Sequence, residues 1–142
     1  MLCDNKNGDF MNLIVCVDDR YGMAFFGKRQ SRDKVQIQKM LDLVGENKLF
    51  ISEYSLCLFE ELPKNVSVSN DFLTLAKTGD FCFVERESLC DAQIEEIIIY
   101  KWNRVYPSDL KLSSELLSGK TLVSTKEFKG NSHEKITEEV YR

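Results

Sequence analysis

The sequence predicts a single α/β domain with a mainly parallel central sheet, helices on both faces of that sheet and a C-terminal antiparallel hairpin. Two observations lead to this prediction. Apolar runs typical of buried strands alternate with segments of helical periodicity, and the clearest runs are MNLIVCV, DFCFVE and EIIIYKW. Near the C-terminus, two strand-like segments, KTLVSTKEF and KITEEVYR, flank the polar stretch KGNSH. The alternation favours parallel strands with crossover helices, and the final pair favours a hairpin.

The domain is expected to span residues 11–142. Residues 1–10 are polar, contain Gly8 and precede the first apolar run. They predict a disordered or weakly ordered extension, unless Met11 is the natural start. The run that begins at Met11 is apolar throughout, which is typical of a central strand covered on both faces. Gly22 and Gly27 then interrupt the pattern in DDRYGMAFFGK, and this segment is predicted to be a loop.

The next segment is predicted to form a helix. Ser31 is expected to cap its start and Gly45 to end it. Apolar residues recur in it at i, i+3, i+4 and i+7, and they are Ile37, Met40, Leu41 and Val44.

Shorter elements follow in alternation. KLFI and NVSVS are predicted strands, and SEYSLCLFEEL is a predicted helix that Pro63 ends. NDFLTLAKT predicts a short helix capped by Asn70. DFCFVE predicts a buried strand, and SLCDAQIE predicts one or two helical turns before the late strand EIIIYKW.

Composition limits the classes of function. The chain has 142 residues, which is enough for one ordinary domain. Its 19 basic and 23 acidic residues give a net charge of -4, so extended nucleic acid is not an expected partner. No apolar run approaches the length of a membrane span, and the N-terminus lacks the apolar centre of a signal peptide. These features predict a cytoplasmic protein with no membrane partner.

The cysteines and the histidine do not predict a metal site. Five cysteines form an odd set without a C-x-x-C pair, and Cys16 and Cys82 lie within apolar strand-like runs. Structural thiols are therefore expected. His133, the single histidine, lies in the polar stretch GNSHEK and is predicted to be a solvent-exposed loop residue.

Two groups of charged residues beside the predicted loop each have two interpretations. Asp18 and Asp19 follow the first strand, where turn chemistry is a better explanation than a metal pair. FFGKRQSR joins two phenylalanines to basic residues and fits either a solvated loop or a site for a nucleotide or small anion.

The late strand also carries two interpretations. Alternation places Ile98, Tyr100 and Trp102 on one face of the sheet. Ligands in open α/β sheets bind beyond the carboxyl ends of strands, so Trp102, Arg104 and their neighbours are candidates for a ligand site or a partner surface. Alternatively, Trp102 closes the core beneath a loop.

Several segments together resemble the dihydrofolate reductase family. LIVCVDDRYGMAFFGK is similar to the family's first strand, its V-D pair, its glycine-rich loop and the G-K that follows. NVSVSNDF, FCFVE, EIIIYKWNRVYPSD and LVSTKEFKGNSHEKITEEVYR are similar to later strands and turns of the family. The resemblance extends from Asn12 to Arg142 and implies a dihydrofolate-reductase-like fold.

The resemblance also implies roles for particular residues. Asp33 matches the carboxylate that anchors the pterin ring, while Gly22, Met23 and Ala24 match residues that line the nicotinamide of NADPH. However, ISEYS stands where the family has the phosphate-binding G-R-x-T. Glu85 and Arg86 replace the paired glycines beside the cofactor, and the family's W-x-x-P stretch is absent before Asp33.

These departures favour a divergent, non-catalytic domain that binds a small ligand or a partner and has no cofactor. One alternative is an NADPH-dependent reductase of a pterin or similar heterocycle, with Asp33 as its catalytic residue. A second alternative is a homo-oligomeric interaction protein that assembles through a sheet edge or the aromatic end of the late strand. The histidine-rich motif of ribonuclease Z is absent, so a metal-dependent nuclease is not expected. The expected ligand-binding residues are Gly22, Met23, Ala24, Lys28, Arg32, Trp102 and Arg104.

Overall fold

The computed structural model describes residues 10–87, 89 and 93–142. The predicted N-terminal extension lies almost wholly outside the described residues, as does half of SLCDAQIE, the segment predicted to form helical turns. The strands are β1 (Met11–Val17), β2 (Gly22–Phe25), β3 (Lys28–Arg29), β4 (Leu49–Ile51), β5 (Val66–Val68), β6 (Phe81–Val84), β7 (Ile94–Lys101), β8 (Leu110–Lys111), β9 (Leu122–Phe128) and β10 (Ile136–Tyr141). The α-helices are α1 (Lys34–Val44) and α2 (Phe72–Leu75), and the 3₁₀ helices are Glu53–Leu58 and Ser114–Leu117.

Seven strands form the central sheet in the order β5-β4-β6-β1-β7-β10-β9. The first five in this order are parallel to one another, and β10 runs antiparallel to both β7 and β9. Strand β1 lies in the centre, where Leu13 is paired with Cys82 on one side and Ile97 on the other. The predicted mainly parallel sheet with a C-terminal hairpin is confirmed.

The two faces of the sheet contribute to two separate apolar cores. Along β1, Leu13 belongs to the core that contains Phe72 of α2, whereas Ile14 belongs to the core that contains Met40 of α1. Helices therefore lie on both faces, as predicted. This arrangement explains why β1, β6 and β7 are almost continuously apolar, because each residue faces a covered surface.

Three local predictions were wrong in detail. Asp33, and not Ser31, caps α1, because its carboxylate accepts a hydrogen bond from the Val35 backbone. SEYSLCLFEEL forms a 3₁₀ helix that ends at Leu58 instead of a longer α-helix. Asn70 does not cap α2. Its side chain accepts a hydrogen bond from the Glu53 backbone instead.

The segment DDRYGMAFFGK is a β-hairpin and not a loop. Strand β2 pairs antiparallel with β3 and with β8, which gives a second sheet of three strands. Phe26 and Gly27 make the two-residue turn, and both have positive φ, at 51° and 72°. Such a turn matches the twist of the strands it joins. The hairpin positions Arg29 toward the end of β6.

None of the described helices is long and apolar enough to cross a membrane.

Among the described residues, Cys16, Cys57 and Cys82 carry free thiols, and burial raises the pKa of Cys82 to about 12. A thiol with so high a pKa is a poor nucleophile, which agrees with the structural role predicted for Cys82.

Candidate ligand site at the carboxyl ends of the strands

The carboxyl ends of β1 and β6 meet the start of α1 at one edge of the sheet. In open α/β sheets this edge is the usual place for a ligand. The cavity there has a volume of about 10 Å³, and its lining includes Arg29, Ser31, Asp33, Glu85 and Trp102. Such a volume holds about one water molecule. Side chains therefore fill most of the cleft.

Asp33 is at the centre of one side of this cleft, with its side chain fully buried. Besides capping α1, its carboxylate accepts hydrogen bonds from two backbone N–H groups of the β9–β10 loop. The Asn131 N–H lies 2.9 Å from Oδ1, and the Ser132 N–H lies 2.7 Å from Oδ2. One carboxylate thus joins the start of α1 to the C-terminal hairpin.

The same contacts keep Asp33 ionised. Burial by itself would raise the pKa of the carboxyl, but hydrogen bonds from Asn131, His133, Ser132 and Gln36 hold it well below its ordinary value. The donors satisfy the carboxylate from within the protein. In the observed arrangement, Asp33 has little capacity left to anchor a heterocycle.

His133 is buried and not the exposed loop residue that the sequence predicted. Only 3% of its surface is exposed, and Nδ1 lies 3.0 Å from Oδ2 of Asp33. Its ring stacks on Trp102 with centroids 4.5 Å apart. A backbone hydrogen bond from Gly130 to the His133 carbonyl closes the loop that carries the histidine inward.

Two hydroxyl groups face the other nitrogen of the His133 ring. Ser31 Oγ and the Tyr106 hydroxyl each lie 3.1 Å from Nε2, and the two oxygens are 3.4 Å apart. Ser31 and Tyr106 are half-buried, so this row of groups extends from the interior to the rim of the cleft. Ser31, Asp33 and His133 are thereby brought into one hydrogen-bonded line.

A second buried pair fills the opposite side of the cleft. Arg29 binds Glu85 with two hydrogen bonds, from Nε to Oε1 at 2.7 Å and from Nη2 to Oε2 at 2.9 Å. Ser55 also donates to Glu85, at 2.7 Å. The hydrogen bond with Glu85 raises the pKa of Arg29 above its already high value, although burial opposes this. The guanidinium and the carboxylate neutralise each other.

Tyr54 and Arg86 cover this ion pair. The Tyr54 ring lies between two guanidinium groups, 4.2 Å from that of Arg29 and 3.8 Å from that of Arg86. Arg86 also donates to the carbonyl of Gly27 in the hairpin turn, at 2.9 Å. Glu85 and Arg86 thus occupy space beside the strand end where the resemblance placed paired glycines.

Asp18 organises the loops around β1. Its buried carboxylate accepts backbone hydrogen bonds from Arg20, Gly22 and Tyr106, which is the predicted turn chemistry. Burial would raise its pKa, but these hydrogen bonds lower it below the ordinary value. Within the part of the chain that the structure describes, no cluster of three potential metal ligands occurs.

The other predicted ligand residues occupy different surroundings. Gly22, Met23 and Ala24 are buried within β2, where Met23 packs into a core and lines the small cavity. Lys28 is exposed on β3, beside the hairpin turn. Trp102 is only 3% exposed, packs into the core that contains Met40 and lines the small cavity.

Two exposed arginines flank the buried histidine. Arg32 donates to the Cys57 carbonyl at 3.3 Å, and Arg104 donates to the Ser132 carbonyl at 3.2 Å. Together with Asp33 and Trp102, these predicted residues surround His133. No local pattern predicted the burial of His133, because Ser31, Asp33 and Tyr106 all lie far from it along the chain.

Comparison with known proteins supports the fold. No protein-family model and no curated protein matches the chain. Among solved structures, the chain is similar to a dihydrofolate reductase from Enterococcus faecalis complexed with NADP(H) and RAB-propyl. The TM-score is 0.63 with 10% sequence identity, over 94% of this chain and 95% of that chain. The fold is therefore dihydrofolate-reductase-like, as the sequence predicted.

Proposed function

We propose that this chain is a divergent dihydrofolate-reductase-like domain that binds a small ligand without reductase chemistry. The ligand binds at the rim of the filled cleft, where Ser31, Arg32 and Arg104 lie beside the buried His133. No nicotinamide cofactor takes part. Under this proposal, the framework of the fold persists while side chains occupy the space of the cofactor.

The volume of the cleft is the observation that carries this proposal. Small-molecule sites usually enclose about 300–1,000 Å³, whereas the cavity at the strand ends measures about 10 Å³. A dinucleotide would have to displace Glu85 from its two hydrogen bonds with Arg29. It would also bring phosphate close to a buried carboxylate, which electrostatic repulsion disfavours.

A titration with NADPH tests the proposal. Trp102 is the single tryptophan and lines the cavity, so its fluorescence reports on any ligand that enters the cleft. We expect no saturable change up to millimolar NADPH. The matched variant Glu85→Gly removes the carboxylate and leaves Arg29 unpaired, and we expect it to gain measurable affinity for NADPH. Saturation of the wild-type chain at micromolar NADPH would refute the proposal.

A reductase remains the main alternative, and one observation favours it. The similar Enterococcus faecalis structure is a dihydrofolate reductase complexed with NADP(H). In such a reductase, Asp33 would anchor or protonate a pterin or similar heterocycle. This requires the β9–β10 loop to release the carboxylate. Oxidation of NADPH in the presence of dihydrofolate, lost in Asp33→Asn, is the result that would favour the reductase.

Self-association is a second alternative, favoured by the exposed edge strand β9. Leu122 and Val123 on this strand are 45% and 48% exposed. An edge strand with exposed apolar residues can pair with another copy of the chain. The buried Trp102 offers no comparable surface. Sizing of the wild-type chain and of Val123→Lys distinguishes a dimer through this edge from a monomer.

A cytoplasmic location is also part of the proposal. The free thiols of Cys16, Cys57 and Cys82 support it, because thiols persist in reducing compartments. Fractionation of cells that express the tagged chain tests this location.

A further inference from the structure

We propose that Ser31, His133 and Asp33 form a nucleophilic relay that hydrolyses small carboxylic esters at the rim of the cleft. Ser31 is the nucleophile, His133 is the general base, and Asp33 is the residue that positions the base. This reaction goes beyond the proposed binding function. Its failure would leave the exclusion of NADPH intact, because the two are measured with different ligands.

The geometry fits such a relay at each step. Ser31 Oγ lies 3.1 Å from Nε2 of His133, and Nδ1 of the same ring lies 3.0 Å from Oδ2 of Asp33. Serine on one ring nitrogen and a buried carboxylate on the other is the arrangement that activates a serine in unrelated folds. Such relays are identified by geometry and not by the order of residues in the chain.

Asp33 fixes the tautomer of His133. Its carboxylate is kept ionised by backbone donors from α1 and the β9–β10 loop, so it accepts a hydrogen bond from the Nδ1–H group of His133. The lone pair of Nε2 then faces Ser31. Stacking on Trp102, with the two rings 19° from parallel, holds the imidazole plane in this orientation.

Tyr106 completes the line of hydrogen bonds. The Tyr106 hydroxyl lies 3.4 Å from Ser31 Oγ and 3.1 Å from Nε2 of His133, and in the reactive arrangement it donates to Ser31 Oγ while the Ser31 hydroxyl donates to Nε2. The Tyr106 hydroxyl is therefore placed to stabilise negative charge that develops near Ser31. The backbone N–H of Arg32 makes no hydrogen bond with the described residues and directly follows the nucleophile, the usual position of an oxyanion donor.

The surroundings define the class of substrate. Ser31 and Tyr106 are half-buried, so an ester can approach from the rim. The cavity that Ser31 lines has a volume of about 10 Å³, which is too small for a long acyl chain. Exposed Arg32 and Arg104 each contact Ser132 of the histidine loop, Arg32 through its carbonyl and Arg104 through its guanidinium, and their charges favour a neutral or anionic leaving group over a cationic one. A short acyl ester, such as an acetate ester, fits these limits.

The proposed reaction proceeds in two balanced steps. The Ser31 oxygen attacks the ester carbonyl carbon while its proton moves to Nε2 of His133. The ester C–O bond then breaks, and the departing alcohol takes the proton from Nε2. In the second step water attacks the acyl-serine, gives a proton to Nε2 and releases the carboxylic acid as Ser31 regains its proton. Water is the only co-reactant.

Hydrolysis of p-nitrophenyl acetate by the purified full chain tests this proposal. We expect the Ser31→Ala variant to lose activity by a factor on the order of 10² or more, because it removes the nucleophile and with it the proton transfer to His133. Ser114→Ala is the matched control, because Ser114 is exposed on a 3₁₀ helix outside the site, and its rate should equal that of the wild type. Circular dichroism establishes that both variants are folded.

Mass spectrometry of the acid-quenched reaction separates a nucleophile from a structural serine. We expect a single acetyl group on the peptide that contains Ser31 and none on that peptide in Ser31→Ala. Ser31→Cys, which keeps a nucleophile in place, should again be acetylated at position 31. Equal hydrolysis by the wild type and Ser31→Ala, or acetylation confined to lysines, would overturn the proposal.

Discussion

Two carboxylates with side-chain partners lie on opposite sides of the same cleft, and the two pairs differ in what they join. The Asp33–His133 pair lies between α1 and the C-terminal hairpin, and backbone N–H groups from both elements saturate its carboxylate. The Arg29–Glu85 pair joins the β2–β3 hairpin to the end of β6 and depends almost entirely on side chains. The first pair holds the backbone of α1 and of the C-terminal hairpin together, whereas the second pair fills part of the cleft with side chains.

This difference has a consequence for function. Removing Glu85 frees a guanidinium and opens part of the cleft, and the strands beneath it keep their pairing. Removing Asp33 leaves several backbone donors of two elements unsatisfied at once, which is costly in a buried site. The cofactor space can therefore be altered more easily than the rim that holds Ser31 and His133.

Asp33→Ala has the largest expected effect and is the strongest test of this contrast. The substitution removes a helix cap and leaves the N–H groups of Asn131 and Ser132, which point at the Asp33 carboxylate, without that acceptor. We expect the free energy of unfolding to fall by about 3–5 kcal/mol, measured by urea denaturation. Asp71→Ala is the control, since Asp71 occupies the cap position of α2 without a side-chain cap bond and should cost no more than about 0.5 kcal/mol. Equal losses in the two variants would contradict the assigned role of Asp33.

Glu85→Gln should change the free energy of unfolding less than Asp33→Ala does, and it should change anion binding more. It leaves the Arg29 charge partly buried, and we expect a loss of about 2 kcal/mol in urea denaturation. The double variant Arg29→Met with Glu85→Met should recover most of this loss, because no charge is then left without a partner. A double variant as unstable as the single one would show that the pair itself, and not its imbalance, determines stability.

Gly130→Ala tests how closely the β9–β10 loop packs against Asp33. A Cβ at this position would lie 2.5 Å from Oδ2 of Asp33 and 2.9 Å from Cδ1 of Ile136. We expect a loss of about 1–3 kcal/mol from overpacking, measured by urea denaturation. The loss should shrink in an Asp33→Ala background, where the clashing oxygen is gone. Full additivity of the two substitutions would argue against this contact.

Over the pH range in which the protein is folded, acidification should change the free energy of unfolding less than the substitutions above do. The folded pKa of Asp33 and of Asp18 lies below the unfolded value, so the stability that each contributes is present above an unfolded pKa of about 3.9. That contribution is lost as the pH falls through the folded values. The free energy of unfolding should therefore decrease below about pH 4 in the wild type and decrease less steeply in Asp33→Ala. Parallel curves for the two proteins would contradict this assignment.

The sequence predicted the sheet well because its signals are local. Strands β1 and β6 are almost continuous apolar runs, β7 contains the run Ile97–Tyr100, and the helix α1 has a clear period of apolar residues that ends at Gly45. Burial on both faces leaves this pattern in the sequence itself. The order of elements was then enough to predict the fold class.

The hairpin and the cap of α1 could not be read from the same signals. Strand β3 has two residues, and β8, the other neighbour of β2, lies more than eighty residues further along the chain. Ser31 and Asp33 are both good capping residues, and nothing local decides between them. Tertiary contacts with the β9–β10 loop select Asp33.

The burial of His133 depends on contacts at long range. Its partners Ser31 and Asp33 precede it by about a hundred residues, and its immediate neighbours are polar. A polar loop normally lies in solvent, so composition predicts exposure. Here Asp33 compensates the buried polar groups of the loop, and this compensation appears only in three dimensions.

A crystal structure of the chain grown with millimolar NADPH tests the central claim most directly. The account predicts that Arg29 and Glu85 keep both hydrogen bonds, at 2.7 and 2.9 Å, and that no dinucleotide occupies the cleft. An ordered NADPH molecule across the end of β6, with Glu85 turned away from Arg29, would contradict it.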